Sequence, residues 1–238
     1  MQDISSEAQE PQPRYVVVHE VDYEPVVGCR RTQSKSLLST ERLEIRQFRI
    51  AGPGPAEDYG VCATQRAAYV LSGTAALKQE GAAELELRKG HLVVIPAGAR
   101  WASQLSVRSD ELVLLEVTAR VDGAPVPSTT AMAQVRRVDP AEVQPYAPAG
   151  HAKTQNRCLF ADAHLEIIEG RIDRGGGAER HAHADNEQLL YVLSGAGTPL
   201  LIHYPKCAPH GTGGGVPEPL ELLVIYSPPL GEAHNALA

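Results

Sequence analysis

Apolar and polar residues alternate along this chain in short runs, and glycine and proline cut the runs off. LEIRQFRI from Leu43 and LEIIEGRI from Leu165 place apolar side chains at about every second position, the period of a strand with one face in a core. YVLSG occurs twice, at 69–73 and 191–195, each time as an apolar strand ending on a turn residue. LRKGHLVVIPAG (87–98), ELVLLEV (111–117) and LELLVIY (220–226) read as further strands, and no long helical period is present. The pattern predicts an all-β protein, a sandwich or barrel.

The strands repeat. Sliding the chain on itself by 122 residues aligns Gly28–Gly73 with Gly150–Gly195 without a gap, and 17 of 46 positions are identical, more than chance gives at one register. The identities include Gly28/Gly150, the triplet Leu43-Glu44-Ile45 against Leu165-Glu166-Ile167, and YVLSG. Two copies of one module are expected. The pattern divides the chain into a tail over 1–14, an N-terminal module over 15–121, a Pro-rich linker over 122–148 with room for a short helix, and a C-terminal module over 149–238. Residues 229–238, His234 among them, read as a second tail.

Composition narrows the partners. The net charge of −7 comes without a basic run beyond Arg30-Arg31, which argues against nucleic acid or anionic lipid and for a small-molecule ligand. Cys29, Cys62, Cys158 and Cys207 are scattered without a CxxC pair, as in a reducing compartment. The opening segment is polar and no long apolar run follows, so a soluble, cytoplasmic protein is expected, with no membrane partner. Edge strands of such modules commonly pair, which makes a homodimer the expected assembly.

One cluster carries chemistry. His181 and His183 stand two apart on a strand and so share a face. His210 follows a Pro-fixed turn, PKCAPH from Pro205. Three neutral imidazoles and an oxygen donor suit Fe, Mn, Ni, Cu or Zn and leave positions open for substrate. At the matching places the first copy has Tyr59, Val61 and Arg66, with Trp101 where a histidine would stand, a set that holds no cation.

On these residues the chain resembles the cupin superfamily, as a bicupin with two tandem jelly-roll (double-stranded β-helix) barrels and a metal motif intact only in the second. Gly175, His181, His183 and Gly195 match the family's first motif, and Pro205 and His210 its second. The resemblance implies a fourth ligand at Gln188, where the family usually has glutamate. Glu187 is the alternate, since neighbours on a strand face opposite ways. His203 is a weaker stand-in, Cys207 takes the place of a turn glycine, and Thr-Gly-rich 211–215 reads as a loop at the cavity mouth.

The second copy departs from the first in one respect. The second motif is offset by 205 − 96 = 109 rather than 122, so 122 − 109 = 13 residues are missing after Gly195, about one hairpin. Loss of that hairpin leaves the barrel shallower or gapped and weakens the case for His210.

The resemblance implies a metal-dependent isomerase, decarboxylase or dioxygenase acting on a small carboxylate or a hydroxy or keto compound, with Glu187, His203 and Tyr191 as acid/base helpers if they face the cavity. The other reading is a non-catalytic binding or scaffold protein.

Overall fold

The computed structural model describes residues 10–57, 64–78, 83–99, 101–120, 135–195, 199–212 and 215–231. Tyr59, Val61, Cys62 and His234 lie outside these. The earlier half of the chain forms β1 (Arg14–Val17), β2 (Glu24–Pro25), β3 (Thr32–Ser39), β4 (Leu43–Ala51), β5 (Gly54–Pro55) and β6 (Arg66–Ser72). It continues through β7 (Thr74–Leu77), β8 (Leu85–Arg88), β9 (Leu92–Ile95), β10 (Leu105–Val107) and β11 (Glu111–Ala119). After β12 (Arg136–Val138) the later half forms β13 (His151–Ala161), β14 (Glu166–Ala178), β15 (Glu187–Ser194), β16 (Leu200–Tyr204) and β17 (Leu220–Ser227). The helical elements among the described residues are short 3-10 turns, one of them at Pro140–Glu142 between the halves, and no helix is long and apolar enough to cross a membrane.

Among the described residues three antiparallel sheets result, in the orders β12-β9-β6-β11-β4-β3-β2, β5-β10-β7-β8 and β1-β16-β15-β17-β14-β13. The large sheets repeat one plan, since β3, β4, β6, β9 and β11 of the first correspond to β13, β14, β15, β16 and β17 of the third. Their outer strands are exchanged. β1 pairs with β16 in the later sheet, Arg14 opposite His203, and β12 pairs with β9 in the earlier sheet, Arg136 opposite Val94. Arg14–Val17, which the sequence divides between the tail and the first module, therefore completes the second, and the stretch read as a linker adds a strand to the first. β16 and β9 each offer an open edge, and a short β-branched segment such as Tyr15-Val16-Val17 closes one.

Strand alternation sorts the apolar residues into three cores. Phe48, Ile50, Val70, Leu112, Leu114 and Trp101 fill the first barrel. Ile168, Val216, Leu222, Val224 and Tyr226 form a smaller core in the second. Leu43, Ile45 and Tyr69 on the opposite face of the first large sheet pack against Ile167, Tyr191 and Ile225 of the third, so the modules meet back to back. Trp101 is wholly buried, at the place where a ligand histidine would stand. Trp101→Ala is expected to lower unfolding stability by about 3–5 kcal/mol, read by urea titration, without altering metal content.

The YVLSG repeat has a steric cause. Gly73 and Gly195 both have positive φ, +84° and +97°. A Cβ would lie 2.1 Å from the carbonyl oxygen of Glu111 at Gly73 and 2.0 Å from that of Pro219 at Gly195. No other residue fits either turn without moving backbone.

The missing hairpin is β7-β8. In the later half β15 leads to β16 through 195–199, and among the described residues no second sheet of the later half covers the six-stranded one on the side away from the first module.

Candidate metal centre

Two backbone hydrogen bonds do part of the absent sheet's work. His181 N donates to His210 O and His210 N to His181 O, both at 2.8 Å, forming an isolated bridge that ties the two histidine segments together. Cys207 N donates to His183 O at 2.8 Å, and Cys207 has φ +61°, the left-handed conformation of a turn glycine. The cysteine is exposed rather than a buried filler, and its thiol points to Ala184 O at 3.7 Å. His210 thus holds its place without the hairpin.

The three histidines converge, with one ligand atom of each lying within 4.8 Å of the others. His181 Nδ1 lies 2.7 Å from Glu179 O and His210 Nδ1 lies 2.9 Å from Ala208 O. A carbonyl only accepts, so both rings carry the proton on Nδ1 and present the Nε2 lone pair. Burial, and then the neighbouring His210 and His181, lower the pKa of His183 to about 4; burial also lowers that of His210. At neutral pH both rings are unprotonated donors.

Gln188 is buried on β15 and faces the same interior. Its Nε2 donates to the Tyr226 hydroxyl at 3.2 Å, which turns Oε1 to the other side of the amide, toward the histidines. Oε1 lies in the vicinity of the His183 ring without the geometry of a formed bond. His183 Nε2, His210 Nε2 and Gln188 Oε1 are all buried and have no hydrogen-bond partner. Three orphaned acceptors in one place fit a cation, which answers the desolvation cost of each at once.

The cavity beside them measures about 80 Å³, with His151, Asn156, Leu190, Tyr204, Tyr226 and Val224 among its walls. Tyr204 stacks on His210 at 4.5 Å between ring centroids, and His151 stands edge-on to His181 at 6.0 Å. The sequence reading did not single out His151, Tyr204 or Tyr226 as parts of the site; only the cross-strand pairing of Gln188 with Tyr204 and Tyr226 brings those two tyrosines in.

The proposed acid/base helpers are elsewhere. Glu187, Tyr191 and His203 lie on the opposite faces of β15 and β16, toward the first module. Tyr191 is in the shared core, and buried His203 pairs with Glu187 at 3.3 Å. Strand parity excludes them from the cavity and favours Gln188 over Glu187 at the cluster. At the place of Gln188 the first barrel has Arg66, buried and 3.4 Å from Glu116, a cation where the second barrel has a neutral donor.

The chain matches no protein-family model and no curated protein sequence. Solved structures do resemble it. Protein Ylba from E. coli aligns with TM-score 0.65 at 14% identity over 94% of each chain. A cupin 2 conserved barrel domain protein from Leptotrichia buccalis aligns with TM-score 0.55 at 16% identity, over 93% of this chain and 98% of that one. The oxalate decarboxylase formate complex from Lactobacillus farciminis aligns with TM-score 0.62 at 13% identity, over 91% and 86%. At such identities the likeness establishes the fold, a cupin-type jelly roll, and the chemistry has to be argued from the site.

Proposed function

We propose that the later barrel holds one divalent transition metal on His181, His183, His210 and Gln188, and that the protein is a metal-dependent enzyme acting on a small carboxylate, hydroxy or keto compound. The observation that carries this reading is the convergence of buried, unpartnered Nε2 and Oε1 atoms on one small cavity. A bound ion supplies Lewis acidity and open positions for substrate oxygens. All four protein donors are neutral, so the ion's charge stays uncompensated, which favours an anionic substrate and non-redox isomerase or decarboxylase chemistry over oxygen activation. The fold likeness to an oxalate decarboxylase supports a small carboxylate in the same sense. Tyr226 hydrogen-bonds the Gln188 amide, while Ile172, Leu190, Leu222 and Val224 give the cavity an apolar wall. His151, on the cavity wall beside His181, is the side chain placed to accept or return a proton.

Elemental analysis of untagged protein grown with Fe, Mn, Ni, Cu and Zn is expected to find about one ion per chain. Protein that arrives without metal and takes up none in titration would reject the reading. Turnover is then checked by CO2 release and O2 uptake on small keto, hydroxy and aromatic acids. A second reading, a non-catalytic binder, draws on the placement of Glu187, Tyr191 and His203 away from the cavity. Metal and saturable ligand binding without turnover would favour it.

A further inference from the structure

The back-to-back packing of the modules leaves two clefts that the internal repeat relates to each other. Shifting by 122 residues carries Lys35, Gln47, Arg49 and Tyr69 onto Arg157, Glu169, Arg171 and Tyr191. One cleft, of about 470 Å³, is lined by Lys35, Gln47 and Arg49 and by Tyr191 of the other module; the second, of about 710 Å³, by Arg157, Glu169 and Arg171 and by Tyr69. Each therefore takes its polar strand residues from one module and its tyrosine from the other.

The repeat-related residues Tyr69, Glu169 and Arg171 of the second cleft are paired, whereas their counterparts in the first are not all so. Tyr69 donates its hydroxyl to Glu169 Oε2 at 3.3 Å, and Arg171 pairs with Asp173 and Glu221. In the first cleft Gln47, 8% exposed, has its Oε1 buried without a partner. Opposite it on β3, Lys35 is 6% exposed and donates one N–H to Val18 O at 2.5 Å, with the Tyr23 ring 4.6 Å away. An ammonium has three donors, and one carbonyl with a ring face leaves it short of acceptors. Arg49 lies 4.1 Å over the same ring and pairs with Glu111 at 3.0 Å. The wall carries three cations, Lys35, Arg49 and Lys89, against one acid, Asp22. The volume falls in the usual range of small-molecule sites, about 300–1,000 Å³.

We infer that this cleft is a binding site for a small hydroxylated carboxylate, with the carboxylate on Lys35 and Arg49 and a ligand hydroxyl donating to Gln47 Oε1. A buried lysine short of acceptors calls for an anion, and a buried amide oxygen without a donor calls for a hydroxyl. One ligand carrying both answers both. The site stands on residues of the first module and its N-terminal strap, remote in sequence from the histidine cluster, and does not depend on metal there. Because Tyr191 comes from the second module, occupancy bridges the two.

Isothermal titration of the chelator-stripped 238-residue protein with malate tests the inference, with succinate as the same dicarboxylate lacking the hydroxyl. Malate is expected to bind saturably and more tightly than succinate by about tenfold, the span of one hydrogen bond to a buried group. Gln47→Leu is expected to erase that preference while succinate binding persists, and Lys35→Met to weaken both ligands by at least about tenfold. Circular dichroism checks that each variant is folded; where Lys35→Met fails to fold, the Gln47→Leu comparison decides. Absence of saturable binding to the wild type, equal affinity for malate and succinate, or an undiminished preference in Gln47→Leu would overturn it.

Discussion

His183→Ala is expected to weaken Zn(II) binding by at least about 100-fold in isothermal titration, more than the 10–100-fold losses that follow from disturbing residues behind metal ligands. The ring is set for this role by its surroundings. It is half-buried, its pKa is driven to about 4, and its buried Nε2 has no hydrogen-bond partner. Alanine removes a donor that is already neutral and already aimed at the cluster. His203→Ala is the matched control. His203 is a buried histidine, yet it faces the first module and pairs with Glu187. Its loss should cost stability and leave Zn(II) affinity within about twofold, because its side chain is on the face of β16 away from the cluster. Unchanged affinity in His183→Ala, or loss in His203→Ala alone, would place the ion elsewhere.

Gly195→Ala is expected to destabilise the fold by about 2–6 kcal/mol, the sum of roughly 1–3 for a side chain at positive φ and 1–3 for overpacking. The added methyl would sit 2.0 Å from the Pro219 carbonyl oxygen, and the nearest atoms include backbone, so β15 and the approach to β17 must part. Gly150→Ala separates the two contributions, because Gly150 also has positive φ, +70°, but nothing lies within 4 Å of a Cβ there. It should cost about 1–2 kcal/mol in the same urea titration. Equal costs at the two positions would show that backbone conformation alone, and not the close approach, keeps glycine in the repeat.

Much of this was legible from residues. Period-two alternation marked the strands, the shift of 122 marked the two modules, and His181, His183 and His210 were singled out as a set. The resemblance put Gln188 ahead of Glu187, and parity said that the two could not both face the ion. The same rule, applied one step further, removes Tyr191, an odd number of places from Gln188, from the cavity; it was not legible for His203, whose face depends on the pairing of β16 with β15. Tyr226 and His151 were hidden for a different reason. They enter the site through register, and register between strands far apart in sequence leaves no local trace. The exchange of β1 and β12 was hidden likewise, since a four-residue strand such as Arg14–Val17 says that it will pair but not with which edge.

That exchange bears on how the chain comes into being. Arg14 waits for His203, 203 − 14 = 189 residues later, before its ladder can form. At ribosomal speeds of about 5–20 residues per second the nascent segment spends on the order of ten seconds or more without its partner. The first barrel receives its rim strand β12 soon after β9, while the second needs the much earlier Arg14–Val17 to finish, which makes completion of the second half a late event that recruits a segment made before the first.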